Sequence, residues 1–215
     1  MREAVVSFFR NMRRPRMERR LPALFASVFM MGVCVAVLDK LDMGTDPCTV
    51  LNLGLSDTLG VPFGTFQLAI NTLMLMIVLR FDLSRIGAGT LANMAGVGYV
   101  AEFFMWLLNQ PTALQNLSLA ARCAIFVPTM LVFLVAVSFY VAVDMGVAPY
   151  DALPQIIARR CPRVSFRAVR MAWDIAALAI GWLLGSTVGI ATVITGFFLG
   201  PMIAYISRKV EPFFN

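Results

Sequence analysis

The sequence predicts an all-α, polytopic membrane protein built from two tandem copies of one helical unit, and three observations support this fold class. Of the 215 residues, 60% are hydrophobic and only 14% are charged, whereas about a quarter of a soluble domain is charged. The charges are also segregated, because Leu21–Leu38, Thr58–Leu79 and Cys123–Val143 carry none. Each of these runs has about the length that a helix needs to cross a hydrocarbon layer of roughly 30 Å. Finally, one short motif occurs twice.

The repeated motif is Met-Gly-x-x-Pro. Gly44 pairs with Gly146 and Pro47 with Pro149, in each case 102 residues later. Each copy follows one long apolar run and precedes two more, which indicates a tandem duplication. Five weaker matches occur at an offset of 102 or 103: Phe63 with Phe166, Asn71 with Asp174, Gly87 with Gly189, Thr90 with Thr192, and Gly98 with Gly200.

The predicted organisation has five segments. They are a basic amphipathic N-terminal segment (1–20), membrane repeat 1 (21–109), a linker (110–118), membrane repeat 2 (119–207) and a C-terminal tail (208–215). The spanning helices are expected at about 21–38, 63–79, 86–108, 119–143 and 165–184, with a last one that follows Gly185-Ser186 and continues to about Ile206. The N-terminal segment contains seven arginines interleaved with apolar residues, a pattern typical of an anchor on an anionic leaflet.

Each motif proline starts a segment that is too short to cross the bilayer. Asp46 and Pro47 fit the N-cap and first helical position of a helix. Polar residues then recur at steps of three and four: Thr49, Asn52 and Ser56 in the first segment, and Asp151, Gln155 and Arg159 in the second. We therefore predict two short helices that are either re-entrant or lie in the interface.

If the two short helices do not cross, the chain crosses the membrane six times, three times in each half. Because three is odd, the second half would enter the membrane from the opposite side. A same-direction sequence repeat then becomes an inverted-topology repeat, as in several secondary transporters. With the N-terminus in the cytoplasm, all of the eighteen Lys and Arg residues except Lys40 and Arg122 lie on the cytoplasmic side, as the positive-inside rule requires. Eight crossings change this count little, and the length and polarity of the short segments favour six.

Polar residues inside the apolar segments are the candidates for substrate binding, because charge within a bilayer is costly and usually faces a cavity or a partner. They are Asp151, Gln155, Asp174, Asn71, Thr49 and Asn52. For Asp174, an ion pair with Arg170 one turn earlier is an equally good explanation. For Asp151, stabilisation of the N-terminus of the short helix is the alternative. A structural role is expected for the motif residues Gly44, Pro47, Gly146, Pro149 and Tyr150.

The residue types exclude several kinds of chemistry. The chain has no histidine and four cysteines, whose spacing matches no metal-ligand pattern. Gly-rich phosphate loops, usefully spaced carboxylate pairs and activated nucleophiles are absent from the sequence. We therefore predict that the protein is not an enzyme and needs no cofactor or metal, with an intramembrane enzyme as a minor alternative.

The second motif has the form Gly-x-x-Pro-Tyr-Asp-Ala-Leu, from Gly146 to Leu153, and a Ser165-Phe166 restart follows it. In this it resembles the YczE/YitT-type bacterial integral membrane proteins, over roughly Leu21 to Tyr205. The first copy departs from the pattern, with Cys48 and Thr49 in place of the aromatic-Asp pair. The resemblance implies a location in the bacterial plasma (inner) membrane and no settled biochemical activity.

Two functions remain as hypotheses at this point. The first is a permease for a small polar or amphiphilic solute, which works by alternating access between two inverted halves. The second is a non-transporting accessory protein whose basic cytoplasmic face, from Arg159 to Arg170 together with the N-terminal segment, holds a partner or anionic lipid. Nucleic acid is not an expected partner, and a homodimer is compatible with a chain of this size.

Overall fold

The structure is a computed structural model, which describes residues 16–109, 114 and 117–214. It is all-helical, and these residues contain no strand. The α-helices are α1 (Met17–Lys40), α2 (Pro47–Leu59), α3 (Phe63–Phe81), α4 (Ala88–Leu108), α5 (Leu119–Val143), α6 (Pro149–Arg160), α7 (Phe166–Leu183), α8 (Ile190–Phe197) and α9 (Leu199–Val210). Most of the predicted N-terminal segment and of the predicted linker lies outside the described residues.

Four of the described helices, α1, α3, α4 and α5, are long and apolar enough to cross a membrane. The pair α8 and α9 qualifies as a fifth span if the two helices are taken together. Helix α7 has 18 residues, but it carries Arg167, Arg170 and Asp174 and is not among the apolar spans. The fold is therefore that of a helical protein with four or five apolar spans in the part of the chain that is described.

The prediction of one continuous last helix is wrong. Helix α8 ends at Phe197, and α9 begins at Leu199 after a bend of 58°. Pro201 explains the break, because a proline has no N–H and its ring clashes with the carbonyl four residues earlier, here that of Phe197. In the first half the position equivalent to Pro201, 102 residues earlier, is Tyr99. Because Tyr99 does not break a helix, α4 continues through it without interruption.

The short helix α2 begins as its sequence predicts. The Asp46 side chain accepts hydrogen bonds from the Thr49 backbone N–H at 3.2 Å and from the Thr49 hydroxyl at 2.6 Å, which confirms Asp46 as the N-cap. Pro47 occupies the first helical position, where its missing N–H costs nothing. Gly60 ends the helix with φ 64°. Helix α6 also begins at its proline, Pro149.

Two arginines, of which Arg20 is buried, hold α1 and α5 side by side and antiparallel. Arg20, near the start of α1, donates to the carbonyl of Val143 at the end of α5 at 2.5 Å. Arg122, near the start of α5, donates to the carbonyl of Leu41 just after α1. Helix C-terminal carbonyls lack intrahelical partners and carry partial negative charge, so each guanidinium compensates one helix end. The donors are 102 residues apart, and so are the acceptors.

The core lies around α1. Leu24 and Val28 on α1 pack with Val97 of α4 and Tyr140 of α5 in one buried cluster. These four apolar side chains are at most 6% exposed. Burial of this kind, at roughly 25 cal/mol per Å² of apolar surface, stabilises helix contacts in water, whereas in lipid close packing takes over that role.

The loops before the two short helices each bond to the start of a helix in the other half. The carbonyl of Met145 accepts from Gly89 N–H at 2.8 Å, at the start of α4. The carbonyl of Met43 accepts from Ala191 N–H at 3.0 Å, at the start of α8. These donors would otherwise be unsatisfied, because the first N–H groups of a helix have no intrahelical partner.

The motif glycines permit this close approach. Gly146 has φ 116°, and a Cβ atom there would lie 2.6 Å from both Gly87 N and Thr90 Oγ1. Gly44 has φ 82° and meets Gly189 in the same way. A side chain at either position would be strained and would push the two backbones apart, which explains why both copies of the motif have glycine there.

Each short helix packs against a long helix of the other half. Helix α2 lies against α7, where a Cβ atom on Gly54 would be 2.8 Å from the Gly181 carbonyl oxygen. Helix α6 lies against α3 through an apolar cluster that includes Leu153, Ile156 and Val78. The two short helices are therefore held by opposite halves of the chain.

The two halves differ in how their last helices are packed. In the first half, α3 and α4 approach closely, since a Cβ atom on Gly98 would lie 3.2 Å from the Gly64 Cα. Glu102 of α4 also accepts from the Gly64 N–H, in the first turn of α3, at 2.7 Å. In the second half, Gly196 and Gly200 have open space where a Cβ atom would be.

Candidate functional site

The N-terminal ends of the two short helices converge on one polar region. The Asp46 carboxylate, at the start of α2, interacts electrostatically with Asp151 in the first turn of α6. The Cys48 thiol interacts with Asp151 and with Arg170 and Asp174 of α7. Residues from α2, α6 and α7 therefore form one electrostatically coupled region at the junction of the halves.

Arg170 lies between two carboxylates in this region. Its Nη1 donates to Asp151 Oδ1 at 2.5 Å, and its Nε donates to Asp174 Oδ2 at 2.8 Å. The Tyr150 hydroxyl donates to the other Asp174 oxygen at 2.8 Å, and the Arg170 guanidinium lies 5.4 Å from the centre of the Tyr150 ring. We call these four residues the Arg170 cluster.

The Arg170 cluster is open on one side. The Asp174 side chain is 10% exposed and Tyr150 is 3% exposed, whereas the Asp151 side chain is 41% exposed. Asp151 and Asp174 pair with the single Arg170 guanidinium, and Asp46 interacts with Asp151, so carboxylates outnumber basic groups in this region. The positive N-terminal ends of α2 and α6 favour this negative charge. The arrangement suits recognition of a positively charged or hydrogen-bonding group at Asp151. No group of Cys, Asp and Glu in the described chain forms a metal site.

Two buried polar atoms nearby have no hydrogen-bond partner. Asn52, which is 1% exposed, donates weakly to the Cys48 sulfur at 3.6 Å, and its Oδ1 is unpaired. The Trp173 ring lies 5.7 Å from the Tyr150 ring, and its Nε1 is also unpaired. A buried donor or acceptor without a partner costs about 1–3 kcal/mol, so these two atoms add unsatisfied polarity to the interior beside the cluster.

The structure brings some of the predicted site residues together and separates others. Asp151 and Asp174 meet through Arg170. The Thr49 hydroxyl donates to Asp46, the N-cap of α2, and the Asn71 amide donates to the Gln67 carbonyl within α3 at 2.9 Å. Gln155 accepts from Arg85 in a separate cleft. The ion pair between Arg170 and Asp174, one of the two explanations offered for Asp174, is present.

The sequence does not reveal the full role of three arginines. It predicts Arg170 as a partner of Asp174 and as part of a basic face, whereas the structure also joins Arg170 to Asp151. Arg20 and Arg122 were not paired, although their separation of 102 residues was a usable signal. Their acceptors are backbone carbonyls, which side-chain patterns do not identify.

The apolar spans and the buried polar junction between them define a multi-pass integral membrane protein. The chain belongs to a family of unknown function, DUF6198, whose model matches residues 18–208. It is 25% identical over 187 residues to an uncharacterised protein of Haemophilus influenzae, with 87% of this chain and 83% of the relative covered.

It is also 22% identical over 180 residues to the uncharacterised membrane protein YczE of Bacillus subtilis, with 83% of this chain and 80% of the relative covered. This match confirms the resemblance to YczE-type proteins that the second motif indicates. No solved structure matches the chain.

Proposed function

We propose that the protein is a permease for a small polar or amphiphilic solute and that it works by alternating access between two inverted halves. The single observation that carries this proposal is the Arg170 cluster, a partly exposed charged site at the point where short helices from both halves meet. In secondary transporters of inverted-repeat type, substrates bind at such junctions, at the ends of broken helices near the bilayer midplane.

The contacts across the fold support six crossings. Asp82 follows α3, and its carboxylate lies 2.9 Å from the guanidinium of Arg159 at the end of α6. If the short helices crossed the membrane, these two residues would lie on opposite faces. The same holds for Arg20 and Val143. Helices α2 and α6, of 13 and 12 residues, are roughly 20 Å long, which is shorter than the hydrocarbon layer.

Helix α7 completes the six crossings in this proposal. Phe166, at its start, lines the cleft with Arg159, and Gly181, near its end, packs on α2. These neighbours belong to opposite faces in the six-crossing arrangement, so α7 connects the two. Its charges are tolerated because Arg170 and Asp174 pair with each other inside the protein.

The antiparallel arrangement of α1 and α5 supports an inverted repeat. Their equivalent positions, 102 residues apart, make reciprocal bonds, as Arg20 and Arg122 do. A two-fold relation within the membrane plane produces such reciprocity, as a two-fold axis does between identical subunits. Together with the distribution of basic residues, this arrangement supports the proposal that both termini are cytoplasmic and that the protein belongs to the bacterial plasma membrane.

The charge of the Arg170 cluster favours a solute that carries a cationic or hydrogen-bonding group. Asp151 is the more exposed of the two carboxylates in the cluster. A cationic solute would compete with Arg170 for it. Loss of one Arg170 bond would loosen α6 from α7, and these two helices of the second half pack on α3 and α2 of the first half. Binding would thereby be coupled to the relative position of the halves, without any covalent chemistry.

Reconstituted protein tests the proposal. Proteoliposomes on a solid-supported membrane would be exposed to a panel of small amines and amino acids, with and without a pH gradient. We expect at least one solute-dependent current in the wild type. Asp151→Asn and Asp174→Asn should each lower it at least tenfold, whereas the matched control Asp57→Asn, an exposed position, should leave it unchanged. Absence of current from folded wild-type protein, or full activity in both cluster variants, would contradict a permease.

The exposed arginines beside the C-terminal end of α6 favour a second candidate, an accessory protein that binds a partner through its cytoplasmic face. Arg163 and Arg167 are exposed and point to an acidic partner. Absence of transport together with a stable stoichiometric complex that is lost on mutation of these two residues would favour this function.

A further inference from the structure

We infer that a basic cleft between α6 and the turn after α3 binds the phosphate headgroup of an anionic phospholipid. The cleft has a volume of about 540 Å³ and is lined by Arg85, Gln155, Ala158, Arg159 and Phe166. That volume is within the range of small-ligand sites. The cleft is separate from the Arg170 cluster, so this inference does not depend on transport.

Two guanidinium groups in the cleft share one carboxylate. Arg85 Nε lies 3.3 Å and Arg159 Nη1 lies 2.9 Å from Asp82 Oδ2. Arg85 also donates to Gln155. These contacts fix Arg85 in place, while the Arg159 side chain is 64% exposed. Since a guanidinium has five donors in a planar fork that matches phosphate, the cleft has a positive charge in excess and N–H groups to spare.

The rim of the cleft is in part apolar and exposed. Phe166, which lines the cleft, is 49% exposed, and α3 and α6 carry two more exposed apolar side chains outside the lining, Phe81 at 45% and Ile157 at 39%. Phe81 is the last residue of the apolar span α3, so the rim lies at the end of the hydrocarbon region. The Arg160 guanidinium lies 3.8 Å from the centre of the Phe81 ring. A free anion needs only the polar cleft, whereas a phospholipid uses the apolar rim as well, for its acyl chains.

The equivalent positions in the other half would form no such cleft. Arg159 corresponds to Asp57, and Arg85 corresponds to Thr187, at an offset of 102 residues. The Thr187 hydroxyl instead donates to Asp42. The basic cleft therefore exists on one side only, the side that holds most of the basic residues. Anionic lipids of the cytoplasmic leaflet attract basic residues at this depth.

Lipid binding by the purified full-length protein would test the site. Native mass spectrometry from detergent would compare phosphatidylglycerol with phosphatidylcholine of the same acyl chains. We expect the wild type to prefer phosphatidylglycerol. Arg159→Gln should lower that preference about fivefold, which is the factor that corresponds to about 1 kcal/mol per basic residue. Arg159→Lys, which keeps the charge, should lose less.

Arg163→Gln is the matched control, because it removes an equally exposed arginine that does not line the cleft. Arg163→Gln should keep the wild-type preference. Equal binding of both lipids by the wild type, or an equal loss in the Arg159→Gln and Arg163→Gln variants, would overturn the inference. A millimolar excess of inorganic phosphate should not displace the lipid; displacement would identify a soluble-anion site instead. Because Arg159 is largely exposed, Arg159→Gln is expected to fold, and its melting temperature without added lipid checks this.

Discussion

Replacement of Gly146 by alanine would test the close contact between the loop before α6 and the start of α4. Gly146 has φ 116°, and a backbone conformation of this kind costs an L residue about 1–3 kcal/mol. The new Cβ would also lie 2.6 Å from Gly87 N and 3.0 Å from Gly87 Cα. Since those are backbone atoms, the helix start must shift, at a further cost of about 1–3 kcal/mol. We therefore expect a destabilisation of about 2–6 kcal/mol.

Two other glycines separate these contributions. Gly60 has φ 64° and open space at the Cβ position, so Gly60→Ala should cost only the strain, about 1–2 kcal/mol. Gly196 is helical, has open space there and is not strained, so Gly196→Ala should be neutral or stabilise by up to about 1 kcal/mol. Unfolding in mixed micelles with increasing SDS would measure all three. The reasoning is refuted if Gly146→Ala is no more destabilising than Gly60→Ala.

Three further changes have defined outcomes in the same unfolding assay. Arg20→Gln should lower the free energy of unfolding by about 2–4 kcal/mol, because Arg20 is 2% exposed and binds two carbonyls. The control Arg19→Gln, at an exposed neighbour, should lower it by under about 1 kcal/mol. Equal effects of the two changes would contradict this. Burial raises the pKa of Asp82, but hydrogen bonds and neighbouring arginines outweigh it and hold the pKa below its usual value. Asp82→Asn should therefore be less stable than wild type at pH 7, and the difference should begin to shrink as the pH falls below about 4 and continue to shrink as Asp82 is protonated in the folded protein; a difference that stays constant over this acidic range would contradict it. Tyr150→Phe removes the 2.8 Å bond to Asp174 and should cost about 1 kcal/mol, whereas no loss of stability would mean that the bond is absent in solution.

The local features of the fold were predictable from the sequence. The helix predicted from 119 to 143 has the bounds of α5, because the uncharged run from 123 to 143 has few alternatives in lipid. Asp46 and Pro47 predict the start of α2, because capping depends only on neighbouring residues. Pro201 could have predicted the bend after α8 by the same local reasoning, but the apolar composition of the segment concealed it.

The contacts between helices required the structure. The bond between Arg170 and Asp174 follows from their spacing of four residues, but Asp151 joins them only because α6 packs on α7. Arg20 binds a backbone carbonyl of α5, and every residue has a carbonyl, so no residue type marks the acceptor. The partner of a helix end depends on tertiary packing, which the sequence pattern does not reveal.

Side-specific cysteine labelling tests most directly whether the two halves are inverted. Asp57 and Arg159 are 102 residues apart, at the ends of α2 and α6, and both are exposed. Each would be replaced by cysteine in a background without the four native cysteines, and intact and inverted membrane vesicles would be treated with an impermeant maleimide. Inverted halves predict that Asp57→Cys is labelled from the outside and Arg159→Cys from the cytoplasmic side. Labelling of both variants from the same side would contradict the inverted arrangement.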